Sequence, residues 1–393
     1  SRAITCGSHS VFTSRSWVSS LWLCDEVIQI TDKSEKMIGK LPSLSIFEFS
    51  FNPPKSLSKC REHNVIKNCK TYFETPKFCR DAFILTGYRE TSVSMSDCIR
   101  SLFEASNETV NIWSHFLAAI YFLWILKEIL HAEDVLEDSF SWPLIVYLIT
   151  ACLYPLTSSV AHVFSCMSPL AHNVCFFADY ASISFYSYGS ALVYKSYAFP
   201  CELQNHWYGR YYLPIALANT TICTFLACSS RLSRSDLLQK LFRLGAFLIP
   251  YLWDNIAIGM RLYNCAGDLE DESCRLSQEF HINQFIATFL AAFFYGSNLP
   301  ERLSPGRFDF MGNSHNLLHL FGTIGTNEQI KAILLDKSLR RDTFIINGWE
   351  TPVYFSLQLP VLILAVNCLI VFLFSTLTFT GPSIVRKEKP KVT

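Results

Sequence analysis

Runs of about twenty mostly apolar residues recur along the 393-residue chain, at 110–130, 142–164, 174–198, 211–228, 241–260, 281–297, 314–335 and 353–378. That is the length a helix needs to cross a hydrocarbon core of about 30 Å. Inside such a core only helices and closed barrels satisfy their own backbone hydrogen bonds. Charged residues make up 17% of the chain, against about 25% in a soluble domain. The pattern predicts an all-α membrane protein: a seven-helix transmembrane bundle plus an eighth, C-terminal span. A formal net charge of zero gives no footing for nucleic acid.

Residues 1–109 are mixed in charge and lack sustained periodicity, so we expect a partly disordered cytoplasmic region with an amphipathic helix near 96–105. The stretch 17–30 is too broken by Asp25, Glu26 and Gln29 to serve as the apolar core of a signal peptide. Residues 110–380 form the polytopic domain, and 381–393 a basic cytoplasmic tail with Arg386, Lys387, Lys389 and Lys391. Asn107-Glu108-Thr109 is a formal glycosylation acceptor that a cytoplasmic location would leave unused.

Lys and Arg accumulate on the cytoplasmic side of membranes. The loop after the first span carries Glu133, Asp134, Glu137 and Asp138. The loop after the fifth carries Asp268, Glu270, Asp271, Glu272 and Glu279. The loop after the fourth carries Arg231, Arg234 and Lys240. An N-terminus inside the cell satisfies all three. Lys337, Arg340 and Arg341, after the seventh span, dissent. The cysteines Cys60, Cys69 and Cys79 lack the close pairing of a zinc ribbon. Cys265 and Cys274 share a hydrophilic loop and would pair if that loop faces the oxidising side.

Ionisable residues are expensive within a bilayer and, where present, usually face the protein interior and carry function. Ser158 and His162 are four apart near the end of the second span, Asp179 follows early in the third, and His315 and His319 are four apart at the start of the seventh. Residues four apart share a helix face. With the N-terminus inside, all five fall at one depth near the cytoplasmic face. Three imidazoles suit a zinc site that keeps an open position. Asp179 would then orient a ligand or a bound water, and Ser158 would hydrogen-bond that water. Taken singly, each reads as a polar contact between helices. Together they favour His162, His315 and His319 as metal ligands.

Asp254 and Asn255 lie mid-span in the fifth run, with Arg261 on the same face as Asp254. They would contact a ligand in the bundle or pair with another helix. His115 reads as a packing residue rather than a fourth ligand. Phe176, Phe177, Tyr180, Phe185 and Tyr186 read mostly as packing, with some able to wall an apolar pocket.

Asn107-Glu108-Thr109-Val110-Asn111-Ile112-Trp113-Ser114-His115 resembles the entry motif of the progestin and adipoQ receptor family. Ser158-x-x-x-His162, Asp179 and His315-x-x-x-His319 match that family's zinc-site pattern. Leu299-Pro300-Glu301-Arg302, Pro305-Gly306-Arg307-Phe308-Asp309 and Ser314-His315 resemble its membrane progestin receptor branch, as do Asp254-Asn255 and 332–336. Asn313 and Asn316 stand where many relatives carry His and Gln. The resemblance covers 83–342. It implies a heptahelical core with a cytoplasmic N-terminus and an extra C-terminal span. It also implies a plasma-membrane steroid receptor that signals rapidly, often through an inhibitory heterotrimeric G protein.

The first expectation is therefore a progestin-type receptor for a steroid or lipid ligand, with a zinc cofactor. The second, from the branch tied to ceramide hydrolysis, is a zinc-dependent lipid amidohydrolase in which Ser158 and Asp179 serve catalysis. A third is a membrane scaffold with structural zinc. Removing the zinc ligands separates them, because hydrolysis stops outright whereas a structural role fails through stability.

Overall fold

Helix boundaries in this chain are set by a few polar caps and prolines at the ends of apolar stretches. A computed structural model describes residues 69–132, 135, 137–233, 236–265 and 272–380. The 17–30 stretch, Cys60, the basic tail and loop residues such as Glu133, Asp134, Arg234, Asp268, Glu270 and Asp271 lie outside them. Nine α-helices occur among the described residues: α1 (Met95–Arg100), α2 (Thr109–Ala132), α3 (Trp142–Phe164), α4 (Pro169–Val193), α5 (Trp207–Leu232), α6 (Asp236–Cys265), α7 (Glu272–Ser297), α8 (Ser314–Ile346) and α9 (Gln358–Thr380).

Local chemistry explains the starts. Ser168 caps α4 by accepting from Ala171 N, and Pro169 occupies the first turn, where no N–H is needed. Asn313 caps α8 by accepting from Asn316 N at 3.0 Å. α4 runs on through a π-helical turn, Tyr194–Ala198, and stops before Pro200. The expected amphipathic helix near 96–105 is α1 plus a 3₁₀ turn, Ser101–Phe103, with Ser94 and Asp97 forming a capping box.

Consecutive helices from α2 to α6 pack side by side, as do α7 and α8. Contacts of α6 with α7 and of α8 with α2 close a ring of seven, and α9 lies outside it against α4 and α5. Five of these stretches are long and apolar enough to cross a membrane: Thr109–His131, Ser139–Phe164, Trp207–Leu232, Leu241–Cys265 and Val353–Thr380. The all-helical bundle agrees with the expected fold class. α4, α7 and α8 are less apolar, because part of each turns polar groups toward neighbouring helices: Asp179, His281, Gln284, Gln329 and Asp336 are all buried.

Two sequence expectations change. The seventh span does not end at 335. α8 continues to Ile346, so Lys337, Arg340 and Arg341 are helical. Arg340 is buried and donates to the Tyr197 and Phe199 carbonyls at 2.9 Å, while Arg341 pairs with Asp138 at 2.6 Å. Two of the three dissenting charges are thus committed to structure and give no vote on orientation. The sixth span starts earlier than 281, at Glu272. Arg261 finds its partner on another helix. It forms a two-pronged ion pair with Asp336 of α8, at 2.5 and 2.7 Å, because Asp336 offers both oxygens to the planar guanidinium. His281 Nε2 adds a third contact to Asp336 at 2.9 Å, and the Cys265–Cys274 disulfide joins the ends of α6 and α7 nearby.

Residues 69–108 are held against the ring by the 301–316 segment. Leu85 N and Thr86 N donate to the Asp309 carboxylate at 3.1 and 2.7 Å. Gly87 turns at φ +87°, and a Cβ there would meet the Phe310 ring at 3.1 Å, so glycine suits both the backbone and the space. Its carbonyl accepts from Asn107 N at 2.9 Å. Asn107 is only 4% exposed, which rules out a sugar at the formal acceptor.

A three-histidine candidate metal centre

The last turn of α3 and the first two turns of α8 bring His162, His315 and His319 together. One ring nitrogen from each lies within 4.8 Å of the others, and His315 Nε2 is 3.1 Å from His162 Nε2. Two facing imidazole lone pairs repel unless a proton or a cation lies between them.

Hydrogen bonds on the far side of two rings decide which nitrogen is free. His162 Nδ1 meets Glu108 Oε2 at 2.7 Å. A carboxylate only accepts, so Nδ1 carries the proton and Nε2 keeps its lone pair toward the cluster. His319 Nδ1 meets the Asn111 carbonyl at 3.2 Å, with the same result. Carboxylate and carbonyl partners of this kind fix the tautomer of metal-bound histidines.

These partners are themselves anchored. Asn111 Nδ2 donates to Glu108 Oε2 at 2.9 Å, and Asn111 Oδ1 accepts from Asn316 Nδ2 at 2.7 Å. Glu301 accepts from Ser314 N at 2.7 Å and from the Ser314 hydroxyl, which fixes the start of α8 one residue before His315. Arg89 donates to the His162 and Val163 carbonyls at 2.5 and 2.9 Å. It thereby satisfies the open C-terminal carbonyls of α3 and complements the helix dipole there. The two departures at Asn313 and Asn316 both have roles, one as the α8 cap and the other as the bridge to Asn111.

Asp179 is buried on α4 within electrostatic range of His162, and its Oδ1 has no hydrogen-bond partner among the described residues. Ser158 is buried on α3, one turn before His162. His115 stacks flat on His319, with centroids 3.5 Å apart, and does not join the cluster. Three neutral nitrogens plus an unspent buried carboxylate oxygen form a donor set that fits zinc with a polar group beside the open position. Asp254 and Asn255 lie elsewhere in the ring. Asp254 Oδ2 accepts from Ser187 Oγ at 3.0 Å, with Oδ1 unpartnered among the described residues, and Asn255 Nδ2 donates to the Tyr251 carbonyl at 2.8 Å. Glu108, Arg89, Asn111 and Glu301 escaped the sequence reading as site residues. The one available signal was a carboxylate and an amide three apart at the mouth of an apolar run.

A family model described as haemolysin-III related matches residues 103–330. The chain is 41% identical to membrane progestin receptor gamma-B of Danio rerio over 291 residues, which are 69% of this chain and 83% of that one. It is 38% identical to membrane progestin receptor gamma of Homo sapiens over 321 residues, 81% of this chain and 94% of that one. To membrane progestin receptor delta of Homo sapiens it is 37% identical over 315 residues, 79% and 91% of the two chains. With its apolar helices, this makes the chain a multi-pass integral membrane protein.

Proposed function

Because the chain belongs to the progestin and adipoQ receptor family, in its membrane progestin receptor branch, we propose that it is a plasma-membrane receptor for a progestin-type steroid. It signals without transcription, through a heterotrimeric G protein at the cytoplasmic face. The carrying observation is the identity to receptors of that name over more than two thirds of the chain. A steroid is a rigid apolar body with polar ends, so it needs an apolar slot and few hydrogen bonds. Burying it contributes ~25 cal/mol per Å² before association costs. Tyr186, Tyr194, Asp254 and Asn255 supply aromatic walls and polar contacts within the ring. Saturable binding of a labelled progestin to the purified protein tests this reading, and its absence would remove it.

His162, His315 and His319 hold a zinc ion in this reading, with Asp179 and Ser158 beside it. When bound, the ion supplies Lewis acidity and a bound water of lowered pKa. The unpartnered Asp179 Oδ1 favours a second reading, a zinc-dependent lipid amidohydrolase, in which Asp179 takes the proton of the attacking water and Ser158 orients it. Ceramide turnover by metal-quantified protein distinguishes the two.

A further inference from the structure

Two arginines flank the metal cluster without any ion pair among the described residues. Arg231, in the last turn of α5, lays its guanidinium 4.1 Å from the centroid of Phe176. Its Nε donates to the Tyr180 hydroxyl at 3.1 Å, and Nη1 reaches Asn173 Oδ1 at 3.5 Å. Phe176 in turn meets His162 edge-on, with centroids 5.5 Å apart. Arg243, early in α6, donates from Nε to Ser230 Oγ at 3.3 Å, and Ser230 is the residue next to Arg231. Tyr295 lies in electrostatic range of Arg243, and its ring is 6.1 Å from that of His315. Each guanidinium is therefore one aromatic ring from a proposed zinc ligand.

The pair is built to hold something. A guanidinium fork fits phosphate through paired N–H donors, and stacking on an aromatic face fixes its plane in advance. Among the described residues the hydrogen bonds of both go to neutral oxygens, which leaves most Nη donors unspent. Asp81 lies in electrostatic range of both arginines. Asp179 also lies in electrostatic range of Arg231, so a phosphate here would compete with two carboxylates for the guanidinium donors.

Position selects the source of the anion. The apolar stretches end at Leu232 and begin again at Leu241, so both arginines sit at the limits of spans, the level of lipid headgroups. Leu232, Leu241 and Leu244 beside them are exposed and offer a surface for an acyl chain. We infer that Arg231 and Arg243, with the Tyr180 and Tyr295 hydroxyls, form a phosphate site for the headgroup of an anionic membrane lipid, next to the metal cluster and independent of the steroid reading.

The test uses the full chain in nanodiscs of phosphatidylcholine with and without phosphatidic acid, and native mass spectrometry to count retained lipid. The unmodified protein should retain phosphatidic acid in preference to phosphatidylcholine. Arg231→Gln and Arg243→Gln should each weaken retention about tenfold, at unchanged metal content and monodisperse elution. Asp81→Asn should strengthen it by removing a competing carboxylate. Equal retention in the double Gln variant, or no preference for phosphatidic acid, overturns the site. An Asp81→Asn protein that melts earlier and gains no phosphatidic acid would instead make the arginines counter-charges for Asp81. Full competition by inorganic phosphate would overturn the lipid assignment in favour of a soluble phosphate.

Discussion

Glu108 and His162 are 54 residues apart in sequence and 2.7 Å apart in space, carboxylate oxygen to Nδ1. The contact joins the entry of α2 to the end of α3 and turns the His162 Nε2 lone pair toward His315 and His319. It ranks Glu108 in importance with the three histidines it helps to aim.

The metal prediction follows from that contact. Replacing His162, His315 and His319 by Ala should abolish zinc, measured by elemental analysis of purified protein, from an unmodified stoichiometry of about one per chain. Glu108→Gln should weaken affinity by about 10–100-fold, since it removes the acceptor that fixes the His162 tautomer. A triple-Ala protein that kept stoichiometric zinc would reduce the cluster to polar packing.

Asp254 and Asp336 separate ligand binding from stability. Asp336 holds Arg261 and His281, so Asp336→Ala takes the carboxylate away from a buried guanidinium and should cost about 3–5 kcal/mol, seen as a lower melting temperature and surface abundance. Among the described residues the Asp254 side chain hydrogen-bonds Ser187 alone, so Asp254→Ala should leave melting near that of the unmodified protein while weakening progestin binding. Undiminished binding by a normally abundant Asp254→Ala protein would take Asp254 out of the steroid site.

Orientation is checked with a tag. An epitope inserted ahead of Phe83 should stain only permeabilised cells, because the acidic loops after the first and fifth apolar runs point to an internal N-terminus. Staining of intact cells would put the histidine cluster on the outer side.

The Asp138–Arg341 pair gives a pH window. Its hydrogen bond to Arg341, helped by Ser141 and Phe140, lowers the Asp138 carboxyl to about 2. A depressed carboxyl pKa contributes stability that is complete above the unfolded value of about 3.9 and fades as pH falls through the folded one. Unmodified protein should therefore lose a small increment of thermal stability between about pH 4 and pH 2. The pair is partly exposed, so that increment should be below about 1 kcal/mol. Asp138→Asn should lack that increment at neutral pH and show a flatter profile, and identical profiles would mean the pair contributes nothing.

The convergence of the three histidines was legible because helical spacing fixes which residues share a face and the spans fix their depth. His315 and His319 could be paired from spacing alone, and His162 joined them once both helices were given a direction. Glu108 was not legible, since it precedes α2 and its partner is set by tertiary packing. Arg89 caps α3 from a non-helical segment, and nothing in its sequence neighbours names the helix it serves. The partner of Arg261 was not legible for a related reason. A position seven residues along shares a face with Asp254, but the bidentate geometry was available only on α8. The charged end of α8 read as loop because Lys337, Arg340 and Arg341 break the apolar run, whereas the helix continues on the partners it finds in Asp138 and in the end of α4.

The seam between α6 and α7 has unequal fastenings. At one end the chain is covalently closed by Cys265–Cys274 and braced by Arg261 on Asp336 and Ser277. Toward the histidines, a side-chain contact between Arg243 and Tyr295 spans the same gap. A pair of rods riveted at one tip and clasped at the other has one soft motion, a scissoring about the rivet. Such a motion would be widest beside the three histidines and smallest at the disulfide, so a ligand held by Arg243 would bear on how far the blades part.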